Sequence, residues 1–130
     1  MGILGGRAKY EIRTVGIKGR KFNVEVADTF GKMAKGLMGH KKLGRNEGML
    51  FIFESEGRHG FWMLNMKFSI DILWLDGSGN VVYMWEDAKP CKSIFSCRTV
   101  KPDRDAKYVI ELCSGTAKRL GIGEGDRFIL

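Results

Sequence analysis

The sequence predicts a mainly β domain with one or two short helices, a β-rich α+β class built as an antiparallel, jelly-roll-like β-sandwich or barrel. Three observations carry this. Short apolar or alternating segments recur along the chain, one stretch has clear helical spacing, and Gly, Asp and Asn mark the breaks between segments. These elements do not alternate as βαβ units, so a parallel sheet is not expected. At 130 residues the chain is long enough for a single core without metals or disulfides as staples. Residues 1–130 therefore read as one domain, with 1–8 as a flexible N-terminal extension.

Taken in order, Tyr10 and Ile12, then Phe22, Val24 and Val26, alternate with Glu11, Arg13, Asn23 and Glu25, as half-buried strands do, around a turn at Lys18-Gly19-Arg20. Phe30, Met33, Ala34, Leu37 and Met38 fall at helical spacing, with Asp28 or Thr29 placed to cap the first turn and Gly39 to stop it. Residues 49–53 form a short apolar, aromatic-rich run that reads as a buried strand, and Phe61-Trp62-Met63 begins another. Residues 70–75 and 81–85 read as a hairpin joined by the five-residue loop Asp76-Gly77-Ser78-Gly79-Asn80. Residues 108–112 predict a strand, 116–120 a helical turn closed by Gly121, and 127–130 a last strand. The longest irregular stretch is 89–104.

The net charge is +7, and residues 1–48 carry all of it, with 11 Lys and Arg against four acids. Such asymmetry makes a basic face and raises nucleic acid as a partner, although no nucleic-acid motif accompanies the charge. No apolar run approaches the roughly 20 residues of a membrane-spanning helix, and the apolar part of Met1-Gly2-Ile3-Leu4 is too short for a signal-peptide core, so no membrane association and a cytoplasmic location are expected. A chain without Gln but rich in Lys, Arg and Glu leans toward a heat-adapted source.

Catalytic signatures are absent. The two histidines, His40 and His59, stand in no recognisable nucleophile-base setting, and Ser55 and His59 share a charged connector. The cysteines and histidines have no metal-ligand spacing, and no cofactor motif occurs. Cys91 and Cys97 are spaced so that a disulfide could close a small loop; free thiols are the alternative, and a metal site would need two further ligands. Cys113, at an apolar strand end, reads as core packing.

The segment 61–71 differs, because Trp62, Asn65 and Asp71 sit among Phe, Met, Leu and Ile. A carboxylate between Ile70 and Ile72 either points to solvent or is held by hydrogen bonds in a pocket.

Lys35-Gly36-Leu37-Met38, Gly48-Met49-Leu50-Phe51-Ile52-Phe53, Phe61-Trp62-Met63-Leu64-Asn65, Ile70-Asp71-Ile72, Tyr108-Val109-Ile110-Glu111-Leu112 through Gly115, and Gly125-Asp126-Arg127 together resemble domain-of-unknown-function family 192, also called uncharacterised protein family 0127. Order and spacing match from about Phe22 onward. The resemblance implies a jelly-roll-like β-sandwich with the early helix packed at one end, and no established activity or cofactor. In the family pattern the tryptophan block runs Phe-Trp-Met-Lys-Asn-Thr, so Leu64 and Met66 here replace polar residues. Lys35 stands where the family commonly has Arg, which removes bidentate recognition of a carboxylate or phosphate. Many relatives carry a signal sequence or membrane segment.

The expected function is a monomeric, non-catalytic module binding a small ligand or a protein partner. Its expected pocket is walled by Trp62, Met63, Trp74 and Trp85, with Asn65 and Asp71 as orienting groups and Lys35 as a further contact. One alternative is an enzyme with Asp71 as general acid or base, although no second catalytic group is evident. Another is weak nucleic-acid binding through the basic N-terminal part.

Overall fold

Lys18 and Gly19 both adopt positive φ, 51° and 74°, the geometry of a two-residue turn whose twist matches that of flanking strands. They join β1 (Ile12–Ile17) to β2 (Arg20–Ala27) as an antiparallel hairpin. In the computed structural model, which describes residues 10–130, these strands open a six-stranded sheet with β3 (Glu47–Gly57), β4 (Ile70–Leu75), β5 (Val81–Ala88) and β6 (Ala106–Cys113), in the order β1-β2-β3-β6-β4-β5. The N-terminal extension expected over 1–8 lies outside the described residues.

The mainly β class with two short helices, α1 (Phe30–Lys35) and α2 (Thr116–Leu120), is the class expected. Two details differ. The strands form one sheet rather than two facing ones, and that sheet is mixed, because β2 and β3 run parallel. Parallel neighbours need a crossover of a dozen or more residues, and 28–46, including α1, supply it. The sheet also curls toward closure. Ile129 bridges to Gly16 of β1 and Arg127 to Asn80 at the start of β5, so one C-terminal segment touches both ends of the sheet. The predicted last strand is reduced to these isolated bridges, and the strand expected from Phe61 likewise consists only of bridges, Phe61 to Val100 and Leu64 to Cys91.

Both faces of the sheet are covered. Leu50, Leu73, Leu75, Ile110 and Leu112 pack with Phe22 and Phe128 on one face, while Met49, Phe51, Ile70, Ile72, Trp74 and Val109 pack on the other. All six residues of β4 are buried, which explains its unbroken apolar reading in the sequence. The β4–β5 hairpin has the predicted loop. Asp76 Oδ1 accepts from the backbone N–H of Ser78 and of Asn80, each at 2.9 Å, and Gly79 takes a φ of 91°.

The helix at 30 forms under the predicted cap. Thr29 Oγ1 accepts from Lys32 N at 3.2 Å, but the helix ends at Gly36 rather than Gly39 because Gly36 turns to a φ of 52°. No residue of α1 is buried, and Phe30 is 86% exposed. The apolar stripe read from the helical spacing therefore seals only in part: Leu37 is buried in the core and Met33 packs against it, while Phe30 and Ala34 stay exposed. It faces a cavity.

Candidate functional site

That cavity, about 410 Å³, takes its first wall from the whole stripe, Phe30, Met33, Ala34, Leu37 and Met38. The opposite wall comes from the β3–β4 connection, with Gly60, Phe61, Trp62, Leu64 and Met66, and β3 contributes Phe51 and Phe53. Backbone hydrogen bonds hold the connection in place. Phe61 and Val100 exchange N–H donors at 2.9 and 2.8 Å, Asn65 N donates to Cys91 O at 2.9 Å, and Cys91 N donates to Met63 O at 3.1 Å. Cys91 is itself joined to Cys97 by a disulfide with Cα atoms 5.5 Å apart. Phe51 and Phe61 meet edge to face at 4.9 Å, and His59 stacks on Phe53 at 3.7 Å, so the rings lining the site are fixed by their neighbours.

Two charged residues reach this lining, Lys35 and Glu111. Lys35, the last helical residue, is exposed. Glu111 is the opposite case: it sits on β6, is 5% exposed, and its Oε1 has no hydrogen-bond partner. Burial pushes its pKa from 4.5 up to about 8. At neutral pH it is an uncharged carboxylic acid, able to donate a hydrogen bond or, on meeting a cation, to ionise.

Register explains how this acid reaches the cavity. Glu111 pairs with Met49 on β3 and with Ile72 on β4, and Met49 pairs in turn with Glu25 on β2, so one row across the sheet carries two buried carboxyl groups with a methionine between. Glu25 is partnered, its Oε1 lying 3.0 Å from His40 Nε2. Glu111 is not.

The predicted site residues are therefore divided. Trp62, 42% exposed, and Lys35 line the cavity. Met63 is buried in the core and Asn65 stands exposed at a φ of 58°, so neither lines it. Trp74 is fully buried and donates from Nε1 to His59 O at 2.7 Å, while Trp85 is half-buried under the Arg98 guanidinium. Asp71 is the largest correction. Its Oδ1 accepts from Asp87 N at 2.8 Å and its Oδ2 from Ala117 N at 2.9 Å, deep in the fold and away from the cavity lining. The first bond satisfies an amide where β5 slips register between the Ile70 and Ile72 pairings. The second caps α2, whose own N-cap residue Gly115 has no side chain to do so. With both oxygens committed to backbone donors, Asp71 staples β4 to β5 and to the start of α2.

Glu111 was missed although the sequence held the same signal that drew attention to Asp71, a carboxylate between branched apolar residues, here Ile110 and Leu112. The two departures from the tryptophan-block pattern, Leu64 and Met66, both line the cavity and make it more apolar. Among the described residues, no three His, Cys, Asp or Glu side chains group as metal ligands, and no helix is long and apolar enough to cross a membrane.

Fold and site define a small β-rich domain with a ligand-sized apolar cavity holding one unpartnered acid. The chain belongs to the family DUF192, described as Uncharacterized ACR, COG1430, whose pattern matches residues 12–130. It is 37% identical over 108 residues to UPF0127 protein TK1120 of Thermococcus kodakarensis, covering 79% of this chain and 61% of that protein. Identity to UPF0127 protein PYRAB11210 of Pyrococcus abyssi is 37% over 111 residues, 80% of this chain and 82% of the relative. This chain thus spans about three-fifths of the length of the Thermococcus protein, and both relatives come from thermophiles. The crystal structure of a Sinorhizobium meliloti protein described as a candidate transcription regulator superposes with a TM-score of 0.87 at 30% identity, covering 95% of this chain and 97% of that one. A Novosphingobium aromaticivorans protein of unknown function superposes with a TM-score of 0.86 at 29% identity, covering 96% and 89%.

Proposed function

We propose that this chain is a non-catalytic module that binds a small, largely apolar ligand in the cavity between α1 and the β3–β4 connection. One observation carries the reading: Glu111 is buried on an apolar wall with an oxygen that meets no donor. Leaving a buried polar group unsatisfied costs about 1–3 kcal/mol, and a ligand that supplies the missing partner recovers it. The cavity volume and its largely apolar walls, with one buried polar side chain, fit what small-molecule sites require. A thermal-shift screen of metals, sugars, nucleotides, small acids and small amines tests it, run on wild type and on Ala34→Trp, which fills the cavity from an exposed helix position. The expected result is a ligand that raises the melting temperature of wild type and not of Ala34→Trp. Hits that persist in Ala34→Trp, or no hit at all, would overturn the reading.

A second reading, weak binding of an anionic polymer, is supported by Lys18, Arg20, Lys21 and Arg127, which line a groove at the β1–β2 turn. Two of the four are already engaged, Lys18 with Asp126 at 3.4 Å and Arg127 Nε with the Ser78 carbonyl at 2.8 Å. Affinity for mixed-sequence DNA should fall steeply with added salt if this reading holds, and binding insensitive to salt removes it.

A further inference from the structure

Resting on the ligand-binding reading, we propose that the ligand class of the cavity is an organic amine: an apolar body fills the space between α1 and the β3–β4 connection while its ammonium group pairs with Glu111. The argument begins with what the cavity offers. Its one buried polar side chain is an acid, and the unpartnered Oε1 is an acceptor once that acid ionises. Phe51, Phe53, Phe61 and Trp62 line the same cavity, and aromatic rings attract cations over anions. Acid and aromatic walls therefore select the same charge.

The charged neighbours permit this choice. Lys35 is the only basic residue in the lining, and it is exposed, where water and salt screen it from a buried ligand. On β2, Glu25 shares the face with Glu111 but is already paired with His40. From β3 and β4 the residues paired with Glu111 are Met49 and Ile72, and beyond Ile72 on β5 stands Trp85, none of them charged. No fixed cation competes with an ammonium for this carboxyl group among the described residues. An anionic ligand can accept a hydrogen bond from the neutral acid, but it gains nothing from the rings and repels Glu111 whenever that acid ionises.

The pairing has a proton balance. At pH 7 a carboxyl with a pKa near 8 is about nine-tenths protonated. An ammonium entering the cavity stabilises the carboxylate, so the Glu111 proton leaves to solvent as the ion pair forms. Binding should therefore release close to one proton at pH 7, and progressively less above pH 8.

Calorimetric titration of the intact chain at pH 7, in two buffers of different ionisation enthalpy, tests this with three probes of one shape: 2-phenylethylamine, 2-phenylethanol and phenylacetate. The amine is expected to bind at least about tenfold more tightly than the alcohol, as a charge-assisted contact should, with phenylacetate weakest. Its heat should differ between buffers by about one proton's worth. Glu111→Gln should still bind the alcohol but lose the preference for the amine. Should that variant fail to fold, Trp62→Ala, at the exposed edge, should lower the amine-to-alcohol ratio by about threefold through loss of one ring. The proposal is overturned if the alcohol or phenylacetate matches the amine, if the preference survives in Glu111→Gln, or if none of the three binds. In any of these cases a screen hit abolished by Ala34→Trp would leave the ligand-binding reading standing, so the two can fail separately.

Discussion

Asp71 and Glu111 stand on adjacent strands one register step apart, Asp71 opposite Leu112 and Glu111 opposite Ile72, and therefore on opposite faces of the same sheet. Both are buried, at 1% and 5% exposure. Their surroundings differ in one respect. Asp71 faces two backbone donors that nothing else satisfies, whereas Glu111 faces apolar side chains and empty space. Burial alone thus does not make a carboxylate functional; what decides is whether the fold has already used its oxygens. The unpartnered acid carries a prediction of its own. Between pH 4.5 and about 8 the unfolded chain has ionised Glu111 and the folded chain has not, so the unfolded state binds fewer protons and stability falls as pH rises. The loss attributable to this group is on the order of 4 kcal/mol across that window, most of it between pH 5 and pH 8. Urea unfolding at pH 5 and pH 8 should show it in wild type and not in Glu111→Gln; equal pH dependence of the two would break the contrast at its stronger end.

The Asp71 side is tested by Asp71→Asn. The amide keeps one acceptor and places an NH2 group where the other oxygen stood, so either Asp87 N–H or Ala117 N–H meets a donor instead of an acceptor. A loss of about 3 kcal/mol is expected, read as a drop of roughly 10 °C in melting temperature. Ligand binding, measured well below that temperature, should be unchanged because Asp71 does not line the cavity. A loss under about 1 kcal/mol would mean that the two backbone donors find other partners.

Much of this contrast lay beyond what side-chain pattern can carry. The hairpin around Asp76, the turn of α2 closed by Gly121, and strands β3 and β6 were legible because Asp, Gly and Asn have specific backbone uses and apolar runs have characteristic lengths. Pattern identifies elements but not neighbours. Nothing in residues 20–57 states that β2 and β3 lie side by side and parallel, since the crossover between them holds only a six-residue helix. The α1 stripe was read correctly as a set, yet an apolar stripe looks the same whether it packs on a core or walls a cavity. For the carboxylates the ambiguity was sharper: Ile-Asp-Ile and Ile-Glu-Leu carry one signal, and only the register slip on β5 and the uncapped start of α2 determine which acid is consumed.

Gly48 tests the strand contact that supports both acids. It pairs with Leu112, and a Cβ there would run into the Glu111 carbonyl oxygen, which is backbone and cannot swing aside. Gly48→Ala should cost about 2 kcal/mol in unfolding free energy by forcing β3 from β6. A neutral result in chemical denaturation would show that the two strands separate without penalty where Glu111 is held.

The smallest effect concerns the outer edge of the Asp71 staple. Ser114 Oγ donates to Asp87 Oδ1 at 2.7 Å, and Asp87 is the residue whose N–H Asp71 holds. That hydroxyl bond lies in solvent, where water replaces it at little cost, so Ser114→Ala should lower stability by only about 0.5 kcal/mol. In Asp71→Asn the same change should add nothing beyond this amount if the bonds act independently. Coupling above about 1 kcal/mol in the double mutant would instead make Ser114, Asp87, Asp71 and Ala117 a single network tying the turn after β6 to β5, β4 and α2. The satisfied carboxylate would then owe its role to that cooperative cluster rather than to two backbone contacts, which sharpens its difference from an acid left without a partner.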